Sequence, residues 1–157
     1  MAGLDLGGKP LAAANASVTV PDDPLPALWQ QVTVVREWRG YVHVALLMAH
    51  QIGPRDCMVV SVGTGRFPMG VTKATRQWTE QDWGGAIDRL GSRGWVDTDG
   101  AMTTAGIAER DELEAETDRL CAPIWAPIGD TGAARLAELI LPIHQAFDAA
   151  GTYAALA

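Results

Sequence analysis

Two groups of side chains have types and spacings suited to chemistry. The first is REWRGYVH, Arg36 to His43, which holds two arginines, Glu37, Trp38, Tyr41 and His43 within a single short run. Arginine can orient an anionic ligand, an imidazole can act as acid or base near neutral pH, and aromatic rings can form a flat wall. Arg36, Trp38, Arg39, Tyr41 and His43, together with Trp83, are therefore candidates for lining a small-molecule pocket. The competing reading is a buried network in which Glu37 pairs with an arginine. The second group is Arg66, Lys73 and Arg76, a stretch with no acid before Glu80, followed by Gln81, Arg89 and Arg93. These six are candidates for contacts to double-stranded DNA, where cations meet phosphates. The competing reading is a solvated charged face.

Other chemistries lack their residues. There is no Walker loop, G-x-S-x-G elbow, H-E-x-x-H pair or dinucleotide fingerprint. No catalytic residue and no cofactor is assigned, and nothing specifies an enzyme. Cys57 and Cys121 stand alone, outside any C-x-x-C pair, and read as two buried free thiols. His43 and His50 are two helical turns apart without an acid or cysteine at a matching offset, so no metal site is expected.

The 157 residues suit one domain with a sizeable core. A net charge of -7 opposes non-specific affinity for DNA, which comes mainly from lysine and arginine, yet leaves room for a local basic face. No apolar run approaches the ~20 residues that cross a bilayer. The start, MAGLDLGGKP, has no basic segment followed by an apolar block, so the chain reads as cytoplasmic, without a membrane partner.

The elements that must position these residues follow from periodicity. Residues 1–23, rich in Gly, Ala, Pro and Asp, read as an N-terminal arm or linker, and residues 24–157 as one helical winged-helix domain. Leu25, Leu28, Trp29, Val32 and Val35 recur at helical spacing after Pro24 and Pro26. Gly40 is expected to break or kink this run, and Val42 to Ile52, apolar nearly all round, to continue as a central helix. Helices are expected over Arg55–Val62 and Met69–Trp78. Thr79 caps a further helix whose inner stripe is Trp83, Ile87 and Leu90. Its outer face would carry Glu80, Gln81, Gly84, Gly85, Asp88 and Ser92. Trp95-Val96 and Ala101-Met102 flank an Asp99-Gly100 turn, predicting a two-stranded hairpin. Thr103 or Thr104 caps a charged helix reaching about Cys121. Asp130 caps a last helix carrying Leu136, Leu139, Ile140, Ile143 and Phe147, with Pro142 expected to kink it.

Helix, hairpin, helix in that order predicts a mainly α fold: a winged helix-turn-helix with a short two-stranded β-wing. The run from Trp78 through Trp83, Ala86, Arg89, Leu90, Arg93 and Gly94 continues through Asp97, Gly100, Thr103 and Gly106. Together with Glu114, Thr117, Asp118, Trp125 and Gly129, it resembles the SCO6745-like helix-turn-helix proteins of actinobacteria, and more distantly MarR-type winged helices. The resemblance covers nearly the whole chain, which looks like the second half of members about twice as long. It implies DNA binding by shape, and the MarR likeness implies a homodimer. One departure is at Tyr41, where the family pattern R-G-D-x-H has an acid. Three functions are therefore carried forward. They are a ligand-responsive transcriptional regulator, a small-molecule-binding protein or biosynthetic enzyme on a repurposed winged helix, and a protein-interaction module.

Overall fold

The computed structural model describes residues 3–152, which form seven helices. They are α1 (Pro10–Ala16), α2 (Pro24–Ala49), α3 (Pro54–Gly63), α4 (Met69–Arg76), α5 (Glu80–Ser92), α6 (Thr104–Trp125) and α7 (Gly129–Ala149). None of them is long and apolar enough to cross a membrane.

The helices sort into two hydrophobic cores. One joins α3, α5 and the segment after α5 through Ile52, Val59, Val60, Trp83, Ala86, Leu90, Trp95 and Val96. The other joins α1, α2 and α6 through Ala12, Val34, Trp38 and Cys121. Residues ahead of α2 contribute directly to this second core. Ala12 is fully buried, and the Trp38 indole N–H donates to the Asp5 carbonyl at 2.7 Å.

Helix ends follow local chemistry. Asp23 caps α2 by accepting from Leu25 N, with Pro24 opening the first turn. Thr79 and Asp82 form a reciprocal capping box on α5. Thr103 caps α6 by accepting from Gly106 N at 2.9 Å. Gly106 has to be glycine, because a Cβ there would lie 2.0 Å from the Trp95 carbonyl oxygen.

Three expectations are corrected. There is no β-wing: among the described residues there is no strand, only one isolated antiparallel bridge, Val96 with Met102. The Asp97 carboxylate is the reason. It accepts from Asp99 N and Ala101 N, both at 2.9 Å, so a side chain takes the amide that a second ladder rung requires. Flanking segments of two residues each are also too short to extend a ladder. Gly40 does not break α2, which is one helix of 26 residues. The far end of α2 is not central either. Val44 and Met48 are exposed, because no described residue covers that side.

Candidate nucleic-acid interface and interhelix cluster

α4, the turn at Gln77 and α5 follow one another in the order of a helix-turn-helix. The turn is tight because Gln77 takes the left-handed conformation, φ 54°, after Arg76. The inner face of α5 buries Trp83, Ala86 and Leu90, which leaves Gln81 and Asp88 facing outward. Electrostatics here differ from the chain as a whole. Pro54 to Gly94 holds six Arg and Lys (55, 66, 73, 76, 89, 93) against four Asp and Glu (56, 80, 82, 88), a local balance of +2 in a chain of -7.

Several of those cations are already partnered. Lys73 Nζ meets both Glu80 oxygens at 2.9 and 2.8 Å and sits 5.7 Å from the Trp83 ring. Arg55 pairs with Asp82 at 2.9 Å. The Asp82 carboxyl is held below its usual range, first by its hydrogen bonds from Thr79 and then by Arg55. Arg89 donates through Nε and Nη2 to Asp56 Oδ1 at 3.0 and 2.7 Å, while Asp56 Oδ2 accepts from Gly53 N at the start of α3. Arg89 thus ties α5 to α3. Three cations have no carboxylate partner among the described residues. Arg66 lies beside the Phe67 ring, Arg76 is exposed at the end of α4, and Arg93 donates to the His50 carbonyl at 2.8 Å and stacks over Trp95. Of the hairpin acids, Asp97 is engaged in its own turn and Asp99 is exposed.

The Arg36–His43 group of candidates divides. Arg36 is exposed and pairs with its neighbour Glu37. Trp38 is in the α1–α2–α6 core with Lys9 Nζ 4.7 Å from its ring. Tyr41 lines a shallow groove of about 450 Å³ with Trp38, Lys9 and Leu120. Trp83 belongs to the other core and does not join them. Arg39 and His43, one turn apart on α2, face α6. Arg39 reaches Glu114 at 3.0 Å and Asp118 at 2.9 Å. His43 Nδ1 lies 3.0 Å from Thr117 Oγ1, and His43 Nε2 lies 4.0 Å from Glu114 Oε1.

The tautomer follows by elimination. Thr117 gives its single proton to the Leu113 carbonyl at 2.8 Å, so it must accept from His43 Nδ1–H. The Nε2 lone pair then faces Glu114. Burial pushes the His43 pKa below its ordinary value and outweighs the pull of Glu114, whose charge is also shared with Arg39 and with Arg110 at 3.5 Å. Burial likewise raises the Cys57 thiol, which keeps it protonated and slow to react. Among the described residues no group of three or more His, Cys, Asp or Glu is placed to hold a metal ion.

Two cavities adjoin this cluster. A small one of about 60 Å³ lies between the two cores, bounded by His43, Cys57, Ser61, Arg66, Arg110 and Glu114. A wider groove of about 550 Å³ runs beside Arg39, Asp118, Ile124, Trp125 and Asp130. Glu114, Thr117 and Asp118 as partners of Arg39 and His43, and Asp56 as partner of Arg89, were not anticipated from sequence. A signal for the first set exists: positions 114, 117 and 118 are spaced to share one face of α6, opposite 39 and 43 on α2.

A helix-turn-helix family model matches residues 1–154, and the chain belongs to that family. No curated protein and no solved structure is significantly similar to it.

Proposed function

We propose that this protein is a DNA-binding regulator that presents α5 to the major groove, with α4 and the loop before it against the phosphates. The observation that carries this reading is the local charge. The helix-turn-helix unit is positive while the rest of the chain is strongly acidic, and Arg66, Arg76 and Arg93 are left without carboxylate partners around an exposed α5 face that offers Gln81. Three phosphate contacts per chain correspond to a slope of about -2.7 in log K against log salt. The acidity elsewhere suppresses binding to arbitrary duplex and leaves discrimination to the α5 face.

The test is fluorescence anisotropy with the DNA upstream of the protein's own gene and a scrambled duplex, across a salt series. Sequence-dependent binding with that slope, weakened and flattened in Arg76→Glu, is expected. Absence of binding at low salt overturns the reading. Arg76 is the residue to change because it is exposed and carries no structural pair, whereas Arg89 holds α5 to α3.

A second reading is favoured by the groove beside Arg39. Asp118 and Asp130 with Trp125 and Ile124 suit a small molecule with a cationic group and a flat apolar part. Such a molecule would act as the effector of the regulator. Its occupation would raise the melting temperature of the wild type and not of Trp125→Ala.

A further inference from the structure

One face of α2 stays partly bare beside the amino-terminal segment. Trp38, Val42, Ala45 and Leu46 follow one another there at i, i+4, i+7 and i+8. With Tyr41 and with Leu120 of α6 they line the groove of about 450 Å³. That volume falls within the ~300–1,000 Å³ of small-molecule sites. Gly8 and Lys9 form its wall beside Trp38.

Local chemistry fixes Lys9 in place. Gly7 N donates to Asp5 Oδ1 at 2.9 Å, and Lys9 N donates to the Leu6 carbonyl at 3.1 Å. Gly8 takes φ 70°, a turn that a residue with a Cβ rarely makes. The Trp38 indole N–H is already given to Asp5. The Lys9 ammonium lies 4.7 Å from the Trp38 ring and gives one proton to the Gly7 carbonyl at 2.9 Å. An ammonium has three. Among the described residues no carboxylate pairs with Lys9, and none lines this groove. Its one charge is therefore positive, in a chain of -7, whereas the groove beside Arg39 carries Asp118 and Asp130.

We propose that this groove binds an unbranched aliphatic carboxylate of medium length. The carboxylate meets Lys9, and the chain runs along α2 over Val42, Ala45 and Leu46 with Leu120 across it. Charge complementarity selects the anion. The walls select an aliphatic body: Trp38 is only 7 % exposed and offers little ring to a flat ligand, and the rest of the lining beyond Tyr41 is aliphatic. Geometry sets the length. Trp38 to Leu46 spans about 12 Å along the helix. An extended chain advances about 1.2 Å per bond, a third of an extended peptide residue, so about ten carbons fill the groove. This site is separate from the helix-turn-helix unit, and the assignment does not depend on DNA binding.

The experiment is isothermal titration of the full chain, without DNA, with decanoate, octanoate and 1-octanol. Decanoate should bind at one site per chain with a Kd at or below ~1 mM. Octanoate, two methylenes shorter, should bind roughly tenfold more weakly, and 1-octanol about tenfold more weakly again for want of the charge. Ala45→Phe fills the groove from an exposed position and should abolish binding. Lys9→Gln should weaken it about tenfold. Both variants should keep the helical circular dichroism of the wild type. A wild type that takes up no decanoate overturns the proposal. So does uptake that survives Ala45→Phe, uptake as tight in Lys9→Gln, or 1-octanol bound as tightly as octanoate.

Discussion

Replacing Arg89 with alanine separates the two roles an arginine on α5 can have. In the structure its guanidinium gives two charge-assisted hydrogen bonds to Asp56, whose side chain is only 7 % exposed, while Arg89 itself is 55 % exposed. Breaking a fully buried ion pair costs about 3–5 kcal/mol, because the remaining charge is stranded. Two features reduce that here. The exposed half of Arg89 is screened by solvent, and Asp56 keeps its hydrogen bond from Gly53 N and its place in the first turn of α3, where the helix dipole favours an acid. A loss of about 2 kcal/mol remains, which at this chain length lowers the melting temperature by about 4–8 °C. The assay is thermal unfolding followed by circular dichroism, with urea unfolding beside it. Arg89→Ala, Asp56→Asn and the double variant form a cycle, with a coupling of about 1–2 kcal/mol expected between them. Arg89→Ala within about 0.5 kcal/mol of wild type, or a coupling indistinguishable from zero, would refute the reasoning and return Arg89 to the set of residues free to meet DNA.

Three other perturbations test other parts of the structure. Gly106→Ala places a methyl against the Trp95 carbonyl, so despite a gain of about 1 kcal/mol in helix propensity it should cost a net ~2 kcal/mol or more, read as a lower urea midpoint. Because burial lowers the His43 pKa in the folded state, the unfolded chain binds more protons as pH falls from about 6.5 toward the lowered folded value. Stability should drop across that window and hold level above it, and His43→Gln should flatten this part of a melting-temperature profile. Thr103→Val removes the α6 cap and its bonds to Gly94 O and Gly106 N, for an expected loss of about 1 kcal/mol in the same urea titration.

The helices were legible wherever caps and periodicity agreed. Thr79 with Asp82, and the stripe of Trp83 and Leu90, place α5 in the sequence as they do in the structure. What local pattern could not decide was competition. Asp99-Gly100 is a strong hairpin signal, but the Asp97 carboxylate takes the Ala101 amide that a second rung requires, and only the folded geometry shows it winning. Gly40 is costly in a helix by propensity, yet 26 residues of continuous hydrogen bonding override it. Arg89 and Lys73 looked like free cations because their partners lie 33 and 7 positions away, beyond a reading confined to neighbours on the same helix. The apolar run at Val42 to Ile52 suggested burial on every side. Apolarity marks a surface that needs covering, and it does not say that the same chain does so.

α2 is also a beam. It carries Trp38 in one core and hands the chain, at Ile52, to the other. The eleven steps along the helix from Trp38 to Ala49 span about 17 Å at 1.5 Å each. A tilt of about 5° pivoting on Trp38 therefore moves the far end by about 1.5 Å, roughly a quarter of a helical pitch. The core that holds α3 and α5 inherits its position from this rod, so whatever seats Trp38 also sets the position of α5.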